Sequence, residues 1–155
     1  EVPHYLLAQV LGGGSGAVIA HLMFGLPPLA ISHHARGGPA QAFSEFVATF
    51  GLLAVIHGCA RRDASVVAVA VGSYITAAYW FTASTSFANP AVTLARSLTD
   101  TFSGIQPANV PLFIAAQLAG GAAATLLFRR LSRVDAAAKP ARTQKKTPRL
   151  DAEAF

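Results

Sequence analysis

The residues best suited to chemistry lie in one polar interruption, Thr82-Ala83-Ser84-Thr85-Ser86-Phe87-Ala88-Asn89-Pro90, set inside an apolar run over residues 66–102. Within those 37 residues only Arg96 and Asp100 are charged. Pro90 suits the first turn of a helix, where a missing N–H costs nothing, and Asn89 suits the cap before it. A helix amino terminus presents free N–H groups and positive partial charge. Placed in apolar surroundings, it repels protons and cations, while nearby carbonyls and the Asn89 amide offer hydrogen bonds to a neutral solute. The chemistry implied is passage, not catalysis. No nucleophile–base pair, phosphate loop or cofactor motif occurs, so neither an enzyme nor a cofactor is expected. His33-His34 stand in a Gly/Pro loop without carboxylates or Cys, and no metal site is expected there.

The elements that must hold this interruption follow from its length. Thirty-seven residues are too many for one membrane span and too few for two spans with a turn. A helix over about residues 90–99 would be roughly 15 Å long, half of the ~30 Å hydrocarbon core. The expected element is a re-entrant half-helix with its amino terminus near the midplane, where irregular backbone survives only inside protein or along a wet cavity. Four spans are expected around it, at about residues 5–24, 43–60, 65–82 and 109–128. Glu45 falls inside the second. A carboxylate there is expensive and functional by default, so burial is expected.

Composition agrees with lipid as the solvent. Charged residues make up 12% of the 155-residue chain and apolar ones 53%, against about 25% charged in a soluble domain. The net charge of +5 comes mostly from the carboxy terminus, where eight of the twelve Lys and Arg follow residue 128. Such a tail is no nucleic-acid groove, and no nucleic-acid partner is expected. With Arg61 and Arg62 on the same side, basic residues divide ten against two across the bilayer. That places both termini in the cytoplasm. The tail, residues 134–155, is expected to be disordered. The chain opens on Glu1 without Met and enters an apolar run at once, as expected of a sequence that begins mid-protein.

A repeat supports that reading. Val2-Pro3 and Ala8-Gln9 with Gly12-Gly13 recur as Val110-Pro111 and Ala116-Gln117 with Gly120-Gly121, at a constant offset of 108. Transport proteins are often built from inverted repeats with the site at the repeat interface. The same offset carries Asn89 to a counterpart upstream of Glu1.

Together, Ala8-Gln9 with Gly12-Gly13, Ser44-Glu45-Phe46 with Thr49-Phe50, and Asn89-Pro90-Ala91-Val92-Thr93-Leu94 resemble the aquaporin and aquaglyceroporin (major intrinsic protein) family. The resemblance covers residues 2–131. The stretch from Tyr79 to Ala88 is most similar to a bacterial branch associated with arsenic resistance. An all-α membrane fold of six spans and two half-helices is implied, usually tetrameric, in a bacterial plasma membrane. This chain would supply four spans and the second half-helix. The resemblance also implies that Asn89 donates to the passing molecule, that carbonyls of about Ser84 to Ala88, Ser86 and Phe87 among them, accept from it, and that Glu45 supports the re-entrant loop. Pro90, Ala91 and Val92 complete the motif. Family members commonly carry Arg at the Val92 position, where it narrows the outer constriction. Its absence favours glycerol or undissociated arsenous acid beside water.

Three further readings stay open. Arg96, one turn beyond Val92, either reaches back to the constriction or pairs with Asp100, and the i, i+4 spacing favours the pair. Tyr79 and Trp80 serve the constriction wall or the interface. Gly12, Gly16, Gly120 and Ala116 are expected to let helices cross closely. The leading function is passive conduction by a channel incomplete in this chain. A non-conducting membrane fragment is the alternative, and a secondary transporter would need an ionisable group at the midplane.

Overall fold

The computed structural model describes residues 1–60 and 62–138. It is all-helical among those residues, with α1 at Val2–Met23, α2 at Pro39–Cys59, α3 at Ala64–Phe81, a short α4 at Pro90–Arg96 and α5 at Val110–Ala138. A single 3₁₀ turn, Pro107–Asn109, leads into α5. Among the described residues four helices are long and apolar enough to cross a membrane. Proline opens α1, α2 and α4 within their first two positions, where its fixed φ fits and its missing N–H is not needed. The spans therefore begin at Val2 and Pro39, earlier than hydropathy alone places them.

Packing runs in the spatial order α3, α2, α5, α4, α1. The α2–α5 contact depends on Gly120, where an added Cβ would collide with the Phe46 backbone. Gly13 does a similar service between α1 and α4, because a Cβ there would sit 3.2 Å from Ala95 Cβ. Gly12 and Gly16 have open space around them and allow no close crossing in this chain, contrary to the expectation for them. Phe87, Ile105, Val110 and Phe113 form the buried core beneath α4, with Val92 and Ile114 against it.

Two boundaries differ from expectation. The half-helix ends at Arg96 rather than near residue 99, leaving roughly 10 Å of helix at 1.5 Å per residue. The carbonyls at and just past its end are taken by loop N–H groups: Ile105 N–H donates to Arg96 O at 3.2 Å, Ser32 N–H to Ser97 O at 3.0 Å and Ala30 N–H to Leu98 O at 3.1 Å. These bonds compete with further helical turns. At the other end of the chain, α5 continues to Ala138, so the first five residues of the expected disordered tail are helical. The rest of that tail, and Arg61, lie outside the described residues.

Candidate functional site

The site begins on α2. Ser44, Glu45, Ala48 and Thr49 form its buried stripe, facing α5 and the segment between α3 and α4. Glu45 is 0% exposed. Its Oε1 accepts from Phe87 N–H at 2.8 Å, and its Oε2 accepts from Ala88 N–H at 2.9 Å and from Gln117 Nε2 at 2.7 Å. Charge-assisted bonds of this kind are the strong ones, and removing the acceptor would strand three buried donors.

Those bonds hold an unusual backbone. Thr85, Ser86 and Ala88 adopt φ of 60°, 49° and 50°, the left-handed region, with no glycine among them. Each costs about 1–2 kcal/mol, so the conformation persists only where neighbours impose it. Ser44 Oγ accepts from Ser84 N–H at 3.1 Å, Ser84 Oγ from Ser86 N–H at 3.3 Å, and Glu45 takes the next two N–H groups. Three of the loop's donors are thus taken by α2 side chains, and the N–H groups of Thr85 and Ser86 are satisfied locally. Among the described residues no donor reaches the carbonyls of Thr85, Ser86, Phe87 or Ala88, although Ser84 to Ala88 are all buried. A row of acceptors is left for something else to satisfy.

Asn89 then caps α4. Its Oδ1 accepts from Ala91 N–H at 2.8 Å, which turns Nδ2 outward as a donor, here to Gln9 Oε1 at 3.3 Å. Its carbonyl accepts from Thr93 Oγ1 at 2.9 Å, and Thr93 Oγ1 in turn accepts from Gln117 Nε2 at 2.8 Å. Glu45, Gln117, Thr93 and Asn89 thus form one continuous network through α2, α5 and α4. Pro90 and Ala91 follow in the first turn, with Ala91 buried. Gln117 and Thr93 carry no signal of their own in the sequence, though the repeated Ala-Gln pair marks Gln117.

Val92 is half-buried and borders a cavity of about 710 Å³ between α1 and α4, together with Gly13, Ala17, His21, Ala95 and Arg96. Arg96 does not pair with Asp100. Its guanidinium carbon lies 4.3 Å above the centre of the Phe87 ring, while Asp100 Oδ1 accepts from His33 N–H at 2.8 Å. The shortened α4 explains this, because Asp100 lies beyond the helix and the i, i+4 geometry is never formed. Tyr79 stands edge-on to Phe102 at 6.4 Å and to Trp80 at 5.9 Å. Trp80 is 82% exposed.

Arg36, which in the sequence counted only as a loop charge, is 4% exposed and sits against the same Phe87 ring at 5.2 Å. Burial lowers its pKa from the ordinary guanidinium value, which still leaves it charged in any physiological medium. His33 and His34 contribute backbone groups to the loop: His34 N–H donates to Ser32 Oγ at 3.2 Å and its carbonyl accepts from Gln106 N–H at 2.8 Å.

Comparison with known proteins fits this geometry. The family model described as "Major intrinsic protein" matches residues 60–153, which takes in α3, the buried loop, α4 and α5. Over 127 residues the chain is 58% identical to "Aquaglyceroporin AqpS" of Rhizobium meliloti (strain 1021), a match covering 82% of this chain and 54% of that protein. The chain therefore spans about half the length of the curated relative it matches. No solved structure gives a significant match. With four helices apolar and long enough to span a membrane among the described residues, and the Asn89-Pro90-Ala91 cap at the start of α4, the chain is a multi-pass membrane protein that belongs to the major intrinsic protein family.

Proposed function

We propose that this chain is the second half of a passive channel for water and small neutral solutes, completed by a first half that precedes Glu1. The observation that carries the reading is the loop before Asn89. Glu45 and Ser44 take the N–H groups of Ser84, Phe87 and Ala88, the buried carbonyls of Thr85 to Ala88 meet no donor among the described residues, and Asn89 Nδ2 points away from its own helix. That is a line of acceptors ending in one donor. A water molecule or a polyol can exchange its solvent hydrogen bonds for these, whereas a bare cation meets the positive end of α4. The site binds and releases; it breaks no bond.

The solutes we favour are water, glycerol and undissociated arsenous acid. Val92 supports the larger ones, because it lacks the bulk and donors of the Arg that the family commonly carries there. The name of the relative, an aquaglyceroporin, supports glycerol. The channel sits as a homotetramer in a bacterial inner membrane, with the basic tail in the cytoplasm. The ten-to-two division of Lys and Arg supports that orientation.

Stopped-flow light scattering on vesicles that carry the whole channel tests the reading. Water flux should exceed that of empty vesicles with a low activation energy, and glycerol should follow. Vesicles no more permeable than protein-free ones would reject it.

A further inference from the structure

The outer side of the site contains a device that the Asn-Pro-Ala motif does not explain. Arg36 leaves the loop between α1 and α2 and buries its side chain among three backbone carbonyls. Nε donates to Gly104 O at 2.7 Å, one terminal nitrogen to Ser84 O at 3.1 Å and the other to Phe102 O at 2.8 Å. Those carbonyls come from both segments that flank α4, one before it and one after. The Arg36 N–H is itself held by Asn109 Oδ1 at 2.9 Å, at the start of α5. A planar fork with several donors can join three acceptors at fixed angles, which a lysine ammonium cannot do.

What this clamp steadies is Phe87. Its neighbour in the fold, Ser84, is fixed by Arg36 through its carbonyl and by Ser44 through its N–H. The Phe87 ring then carries Arg36 at 5.2 Å and Arg96 at 4.3 Å, with Phe113 at 5.2 Å completing its surroundings. Cations over an aromatic face are attracted by its quadrupole, more strongly when desolvated. Arg96 needs that support. One of its terminal nitrogens is buried without a hydrogen-bond partner, and its side chain borders the cavity beside Val92, one helical turn farther out.

We propose that Arg36 is a specificity-determining positioning residue, which acts through Phe87 to hold Arg96 at the outer mouth as a fixed donor. This rests on the channel reading above. Arg36 touches no solute. It sets how rigidly the rim is held and where the Arg96 guanidinium stands, and so how large a neutral molecule enters. The cationic donor absent at Val92 is then supplied from the next turn, by a residue that only the Arg36–Phe87 stack keeps in place.

The test uses the whole channel in vesicles, with water and glycerol fluxes measured on one preparation. Arg36→Met should leave water flux measurable and raise the glycerol-to-water ratio about fivefold, the equivalent of one ordinary hydrogen bond. Arg36→Lys keeps the charge without the fork and should move the ratio the same way. Arg96→Met should raise it comparably, and the double variant should add nothing further, since both substitutions disable one device. A role confined to stability would lower both fluxes together and leave the ratio where it was, which would overturn the proposal. Full additivity in the double variant would also overturn it, by showing that Arg36 does not act through Arg96. Should Arg36→Met fail to accumulate, Arg36→Gln, which retains donors, supplies the same ratio. Wild-type channel without water flux would refute the channel reading itself; flux with an unmoved ratio refutes only this inference.

Discussion

Helices α1 and α5 carry the same repeated motif, yet the fold treats them differently. Gln117 on α5 is 2% exposed and donates to both Glu45 and Thr93. Its counterpart Gln9 on α1 is half-buried and makes one long contact, accepting from Asn89 Nδ2 at 3.3 Å. Gly120 meets the Phe46 backbone, while its counterpart Gly12 meets open space. Of the residues in α1, only His21 is buried. Equivalent sequences should have equivalent neighbours, and the proposed reading gives α1 a partner like α2, with a carboxylate like Glu45. On that reading, the open face of α1 is where the first half of the channel packs.

The largest expected effect breaks the complete side of that comparison. Glu45→Ala strands Phe87 N–H, Ala88 N–H and the Gln117 amide, at about 1–3 kcal/mol for each buried donor. Glu45→Gln keeps one acceptor oxygen. Thermal unfolding of the whole channel in detergent should rank Glu above Gln above Ala, and equal midpoints would show that the carboxylate is idle.

The glycines sharpen the contrast. Gly120→Ala should destabilise by about 1–3 kcal/mol, because the new Cβ has only backbone to push against. In residues 1–155 alone, Gly12→Ala should be neutral or slightly stabilising, since Ala is the better helix former by about 1 kcal/mol. In the whole channel Gly12→Ala should turn destabilising as well. Thermal midpoints of these variants against their parent proteins check this, and a Gly12 variant indifferent in both contexts would remove the α1–α5 equivalence.

The smallest expected effect concerns selectivity. Val92→Arg would place bulk and donors beside the cavity and should depress glycerol flux more than water flux, by severalfold in the ratio, if one displaced hydrogen bond's worth of about 1 kcal/mol decides entry. A ratio unchanged by the substitution would remove Val92 from the constriction.

Much of this was readable in the sequence, and the failures have physical causes. Hydropathy located the four spans, and the polar interruption with Asn89 and Pro90 located α4. Glu45 stood out because a carboxylate in an apolar run must have partners. Arg36 did not, because a charge in a Gly/Pro loop looks like a topology signal, and its acceptors lie 48 to 68 residues away. The left-handed turn was hidden for a related reason. Its residues are Thr, Ser and Ala, so nothing local marks a conformation that Glu45 and Ser44 impose from another helix. The Arg96–Asp100 pair failed because it presumed helix past Arg96, where loop N–H groups capture the carbonyls instead.

The central claim is that the site needs a half-helix from each side, and one comparison of fluxes tests it most directly. Vesicles containing residues 1–155 alone should swell no faster than empty vesicles, while vesicles with equal amounts of the whole channel should pass water with a low activation energy. Low-barrier water flux through residues 1–155 as monomers would contradict the account, because it would mean that α1 needs no partner and Asn89 no counterpart.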